Sequence, residues 1–296
     1  MECLIPVDYL SLAKLGGLTS LRIGPHQVLP IVQAGMPIGV SAHQLAGAVA
    51  KCGAVGTIAS MDLRRLHPDL YKKTCNLLHT AHTKKLINQA NQEALIREIA
   101  LGKKVSEGHG LIAVNILYAL SDFDGHVEAA LKGGAAVLVI SSGLALHLPD
   151  LVKHHPDVGL IPTISSTKDL RKLLGAWLKK ERPPAAIILE GFNQPIEKWL
   201  PEIRELLLKA DLGHLSIIVS SDIASLEQMH EWQSLGVCGF QMSTSFAVTS
   251  EGDASDAFKE VILESTPPNW EPFKNPLDLH QVGLCHLVKR FAPFQI

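Results

Sequence analysis

The stretch LPIVQAGMPIGVSAHQLAGAVAKCGAVG, running from Leu29 to Gly56, constrains the fold more than any other part of the chain. LPIVQA is a short apolar run suited to a parallel sheet covered on both faces. In the turn that follows, Gly35 and Gly39 let the backbone bend sharply or come close to a ligand. Ser41 and Gln44 have the spacing of a capping box that opens a helix. Leu45, Ala48, Val49 and Cys52 give that helix one apolar stripe, and Gly53 ends it. AVGTIA begins a second strand. If such a unit repeats, the fold follows from it.

It does repeat. Apolar, β-branched runs stand at 29–33, 54–58, 111–116, 136–140, 159–162, 186–189, 217–219 and 237–242. Helical periodicity lies between them at 85–99, 125–131, 170–178, 201–208, 226–232 and 254–263. Ser166 with Asp169, and Ser225 with Gln228, repeat the capping spacing of the first unit. Eight strands alternating with helices over 296 residues, with no Pro- or Gly-rich linker, favour a single-domain (β/α)8 TIM barrel. A doubly wound sheet would usually bring a second domain. The expected organisation is an N-terminal extension over 1–27, the barrel over 28–265, and a C-terminal tail over 266–296 packing on it. A long loop after strand 2, residues 60–84, is expected to fold over the barrel top, and 277–291 to form a last helix.

Composition excludes some functions. With 47% hydrophobic residues the chain can bury a large core, and a formal charge of -2 offers no basic stripe to nucleic acid or an anionic membrane. An aromatic content of 5% gives no stacking platform for bases. The longest apolar stretches are interrupted before a membrane-spanning length, and no secretory signal is evident. Five scattered cysteines without a CxxC pair read as reduced thiols in a cytoplasm, with Cys52 and Cys238 expected in core packing. GxGxxG and P-loop signatures are absent. His79 with His82, and His154 with His155, lack acidic or cysteine partners at metal-ligand spacing and read as solvated. His147 could reach the barrel mouth, though a place in a surface helix is the commoner outcome.

In a TIM barrel the chemistry sits at the C-terminal ends of the strands. Those ends fall here at 33–36, 58–62, 115–117, 141–143, 163–165, 190–194, 220–223 and 243–246. Taken in order they resemble the nitronate monooxygenase family (once called 2-nitropropane dioxygenases), which includes flavin-dependent enoyl-carrier-protein reductases. The resemblance is carried by PIVQAGMPIGVSAHQLAGAVAKCGAVGTIAS, AVNI, ISSGLALHLPDLV, LIPTISS, AIILEG and QMSTSFAVTSEGDASDAFKEVIL, collinear over about 28–265. It implies an FMN-binding barrel. By that match Ala34, Gly35 and Met36 would back the flavin ring, Asn115 would hydrogen-bond it, Glu190 would stand at the sixth strand's rim, and Gln241, Ser243 and Thr244 would hold the phosphate at a helix start. The expected partners are a small-molecule or acyl substrate and a second copy of the chain in a homodimer.

Three departures from the family fall on this rim. Where the family carries Gly-Gly-His after its sixth strand, this chain reads LEGFNQPIEKWLPEI, and depending on the gap placement Gln194 stands at the histidine's place or nothing does. A glutamine does not titrate and cannot act as a general base. Where the family has a Gly-Gly pair at the phosphate, this chain has Ser221 and Asp222. Their side chains obstruct close approach, and the carboxylate repels a phosphate by about 1 kcal/mol at about 4 Å in water. Alternatively Ser221 or Asp222 caps the next helix, or Asp222 takes the anion's place there. Ser245 replaces the family's basic residue in the last phosphate turn. The expectation is an FMN-dependent oxidoreductase with altered chemistry, or a barrel that has lost catalysis and serves as a binding or scaffold protein.

Overall fold

The computed structural model describes residues 8–77, 80–191, 195–221, 223, 225–264, 270–274 and 280–284. A short helix α1 (Tyr9–Leu15) leads into a hairpin of β1 (Leu21–Ile23) and β2 (His26–Val28). Eight parallel strands follow: β3 (Ile31–Gln33), β4 (Val55–Ala59), β5 (Leu111–Leu117), β6 (Val137–Ser141), β7 (Gly159–Ile164), β8 (Ala186–Glu190), β9 (Ser216–Ser220) and β10 (Gly239–Met242). They close into a barrel, with β10 pairing both β9 and β3. All eight lie where the apolar runs place them, so the (β/α)8 class holds. Between and after them run α2 (His43–Lys51), α3 (Pro68–Thr74), α4 (Ala81–Ser106), α5 (Phe123–Gly133), α6 (Leu148–Leu151), α7 (Thr167–Trp177), α8 (Leu200–Lys209), α9 (Leu226–Ser234), α10 (Thr244–Ala247) and α11 (Asp256–Leu263).

Two core layers follow from strand alternation. Residues facing outward, such as Ile58, Val114, Leu138 and Phe240, pack against the helices. Those facing inward, among them Val32, Val55, Ala113, Val139, Ile161, Ile188 and Ile218, form a separate cluster inside the barrel. The hairpin joins this inner cluster through Leu21 and Ile23, both fully buried. Leu21 lies against Gly239, and Ile23 against Gly159, at the first residues of β10 and β7. The hairpin therefore stoppers the barrel at the N-terminal ends of its strands. Residues 21–28 are part of the barrel's packing, not merely a leader to it.

Several local expectations are corrected. Ser41 does not cap α2: its hydroxyl turns back to Met36, accepting from the amide N–H at 2.8 Å and lying 3.2 Å from the carbonyl oxygen. The cap comes from far along the chain. Asp253 accepts from the N–H groups of Ala42 at 2.8 Å, Leu45 at 3.1 Å and Gln44 at 3.2 Å. Local spacing lost to a tertiary partner that satisfies three helix-end donors at once. Cys52 is exposed, because the buried face of α2 is Leu45, Ala46, Gly47, Val49 and Ala50. Cys238 is half-buried beside the inner cluster. The stretch after strand 2 is not one loop: it holds a 3-10 turn at Leu63–Leu66, then α3, and α4 starts at Ala81. Residues 280–284 form a strand paired with 270–274, not part of a helix; the remainder of 277–291 lies outside the described residues. The caps at Ser166 and Ser225 form as the spacing predicts, so α9 is capped by Ser225 and not by Ser221.

Candidate active site

Inside the barrel the chemistry changes over a single two-residue step. Moving two positions toward each strand's C-terminus from the inner apolar cluster, Val55 gives way to Thr57, Ala113 to Asn115, Val139 to Ser141 and Ile161 to Thr163. On β8 and β9 Ile188 gives way to Glu190 and Ile218 to Ser220, and on β10 Gln241 lies two positions beyond Gly239. Alternation keeps each polar residue on the inner face of its predecessor. Seven strands thus turn a hydrogen-bonding side chain into the open end, while the hairpin seals the other. Register sets some of them side by side: Glu190 is level with Ser220, and Ser220 with Gln241. The Asn115 amide donates across to Ser141 Oγ at 3.0 Å.

Gly35 meets Asn115 at one side of this mouth, with Ala34 next to it in the chain, whereas Met36 packs against Leu29, Leu45, Val49 and Ala54 under α2. A Cβ added to Gly35 would overlap the side chain of Asn115, so glycine is required here by a residue of β5, two strands away. The Asn115 amide nitrogen is committed to Ser141 and to Val139 O at 3.4 Å, which leaves its carbonyl oxygen as an acceptor. Ala34 N–H donates to Met242 O at 2.8 Å, stitching the first strand end to the last. Gln241 is buried on the inner face, and Ser243 with Thr244 open the four-residue α10 next to it. The backbone N–H of Ser221 is spent on Gln241 O at 3.2 Å. Gln194 and Asp222 lie outside the described residues. His147 is placed away from this chemistry, paired with Asp124 at 2.9 Å and packed on Tyr118 and Phe123.

Glu190 occupies the other side. It lines a cleft of about 350 Å³ with Gly191, Pro195, Ile196, Glu197, Ser220, Ser221 and Trp232. Burial pushes its carboxyl up to about 7, with no hydrogen bond or opposite charge among the described residues to offset it. A carboxyl poised there can be acid or base near neutrality. Thr57 Oγ1 and Ser60 Oγ are likewise buried without partners on the β4 side. Three non-glycine residues on this rim hold left-handed backbone: Ile38 at φ 58°, Asp62 at 59° and Ser142 at 59°. For the β-branched, exposed Ile38 this is strained, at about 1–3 kcal/mol.

Residue-by-residue reading missed Thr57, which lies one position short of the predicted strand end. It missed Asp253 as well, whose partners are more than two hundred residues away. A carboxylate among the small and apolar residues 90, 94, 95, 99 and 102 of α4 was the available signal for Glu98, now seen 1% exposed between His43 and His67. Among the described residues no group of three or more His, Cys, Asp or Glu could hold a metal.

Comparison with known proteins agrees with the geometry. A family model described as nitronate monooxygenase matches residues 19–269. Solved structures with the same fold include FabK from Thermotoga maritima, at 16% identity and TM-score 0.64 over 95% of this chain and 78% of that one. Nitroalkane oxidase from Streptomyces ansochromogenes superposes with TM-score 0.63 and 16% identity, over 90% of this chain and 80% of the other. The enoyl reductase domain of MlnA from Bacillus amyloliquefaciens gives 0.62 and 14%, over 96% and 70%. No curated protein sequence is matched at a significant level.

Proposed function

The chain belongs to the nitronate monooxygenase family, and from that membership together with its polar barrel mouth we propose that it is a flavin-dependent oxidoreductase acting on a small or acyl-chain substrate. The observation that carries the reading is the ring of inward hydrogen-bonding side chains at the C-terminal strand ends, above a barrel packed and stoppered everywhere else. The residues suit FMN on chemical grounds. Ala34, Gly35 and Met36 offer a wall without charge, and the Asn115 carbonyl oxygen is an open acceptor for a ring N–H. The orphaned Thr57 hydroxyl is a further donor or acceptor facing inward. Ser243 and Thr244 supply hydroxyls for the phosphate; α10, with four residues, adds little dipole. When bound, the flavin would supply two-electron acceptance from, or donation to, a substrate carbon. The chain's own part is to seat the substrate against Ser220 and Glu190, exclude water with Trp232 and Ile196, and manage the proton. No helix among the described residues is long and apolar enough to cross a membrane.

A non-catalytic barrel is the second reading, and specific contacts favour it. Asp253 already fills the anion-binding end of α2, and the Ser221 N–H is used within the barrel. The visible spectrum separates the two. Purified protein that is yellow, or that takes up FMN near one per chain with quenching of flavin fluorescence, supports the enzyme. Colourless protein that leaves added FMN free leaves the scaffold.

A further inference from the structure

We propose that Glu190 is the proton-exchanging residue of the barrel mouth, taking over at the end of β8 the acid–base work for which this chain has no histidine in the following segment. Its placement makes the case. Glu190 is the last residue of β8, faces inward two positions beyond Ile188, and stands in register with Ser220. It lines the 350 Å³ cleft between the ends of β8 and β9. Other withdrawn acids of the fold are engaged. Asp62 meets Arg64 and Arg65, Glu98 meets two histidines, and Asp253 meets three backbone N–H groups. Glu190 has no such partner among the described residues. A carboxyl left bare in a cleft is available to a ligand.

The surroundings suit proton transfer from a carbon acid. β9 contributes the uncharged Ser220 and Ser221, α9 contributes Trp232, β7 has Thr163 at its inner face, and the 3-10 turn Ile196–Lys198 contributes Ile196 and the exposed Glu197. Glu197 is thus the other charged group lining the cleft among the described residues, and burial alone accounts for the raised Glu190 carboxyl. With its carboxyl pushed up to about 7, Glu190 is ionised in a useful fraction at neutral pH and is a stronger base than an ordinary carboxylate. In the step proposed, a C–H bond beside a nitro or carbonyl group breaks and its proton goes to Glu190 Oε. The bonding pair stays on the substrate, delocalised onto oxygens that Ser220 and Ser221 can hydrogen-bond. The proton then leaves Glu190 for water. Only the substrate class in this step rests on the oxidoreductase reading.

Two measurements test it without flavin turnover. Infrared difference spectra of the whole chain across pH are expected to show one buried carboxyl titrating near neutrality, lost in Glu190→Gln. Exchange of the α-deuterium of nitroethane with solvent, followed by NMR under anaerobic conditions, is expected to be accelerated by the wild-type protein. Its rate should rise through about pH 7, fall by about 10²–10⁴-fold in Glu190→Gln, and return in part with a displaced midpoint in Glu190→Asp. Exchange indifferent to Glu190→Gln overturns the proposal. So does a wild-type spectrum with no carboxyl titrating between about pH 6 and 8, a reading that needs no variant to fold. Flavin uptake, recorded separately, decides the oxidoreductase reading. A protein that exchanges deuterium but takes no FMN keeps the proton site and loses the flavin; one that binds FMN without Glu190-dependent exchange does the reverse.

Discussion

Glu98 is fully buried between α2 and α4, Glu190 is half-buried at the barrel mouth, and the chain surrounds them in opposite ways. Glu98 receives the backbone N–H of His43 at 2.9 Å and bonds its Nδ1 at 2.8 Å, with His67 Nε2 at 2.9 Å from the second oxygen. The His67 contact has an ion pair's distance but not a hydrogen bond's angles. Burial drives the Glu98 carboxyl upward; the hydrogen bond and charge of His43, its amide and the charge of His67 together outweigh that and hold it below its ordinary value of 4.5. The same contact raises His43 above its ordinary 6.5, against burial and with help from the charges of Glu98 and Asp253. At Glu190 burial acts alone. Where a charge fastens helices it is fully partnered, and where it is left bare the fold has left room for something else to partner it.

The largest effect expected from breaking this contrast is on Glu98. Glu98→Ala strands His43 and His67 against a buried face and removes an acceptor from the α2 end, so denaturant unfolding should show a loss of about 3–5 kcal/mol. The pH dependence follows from the two shifts. Stabilisation from the lowered Glu98 is present above 4.5 and fades as pH falls through its folded value. Stabilisation from the raised His43 is present below 6.5 and fades as pH climbs through its folded value. The network is therefore strongest between these values, and the wild-type advantage over Glu98→Ala should peak there. A flat difference across pH would show that Glu98 acts only by filling space.

Glu190 should behave with the opposite sign and a smaller size. Its folded carboxyl holds a proton from 4.5 up to about 7 while the unfolded chain has released it, so stability falls as pH rises through that window. Glu190→Gln removes the dependence. The variant should gain about 3 kcal/mol over wild type above pH 8, with no gain below the ordinary carboxylate value. A variant less stable than wild type at alkaline pH would mean that the carboxylate has a partner in the cleft.

This contrast also marks how far the sequence could be read. The strands were legible because an apolar run of three to six residues between helical periods has few alternatives, and their collinear order carried the family. The polar step at Thr57, Asn115, Ser141, Thr163, Glu190, Ser220 and Gln241 was present in the letters as well, two residues beyond each inner apolar position. It becomes a ring only once the barrel closes and gathers the seven strand ends around one mouth. Partnerships across long separations were not legible. Glu98 finds His43 across 55 residues, and Asp253 finds Ala42 across 211. The capping box at Ser41 failed for the same reason, since a carboxylate folding in from the far end of the barrel satisfies more donors than the adjacent hydroxyl can.

Asp253 stands between the two extremes and gives the finest test. It is satisfied by peptide N–H groups at a helix start instead of by a titrating partner, and it adds to the charge that raises His43. Asp253→Ala should therefore cost about 1–2 kcal/mol, the scale of a lost helix cap, with no dependence on Glu190. It should also lower the His43 midpoint in an NMR titration while leaving it above 6.5, because the Glu98 hydrogen bond is the larger cause. If His43 instead falls to its ordinary value, the charge at the α2 end belongs to Asp253. Glu98 would then be a space-filling acid, and its contrast with Glu190 would reduce to a difference in burial.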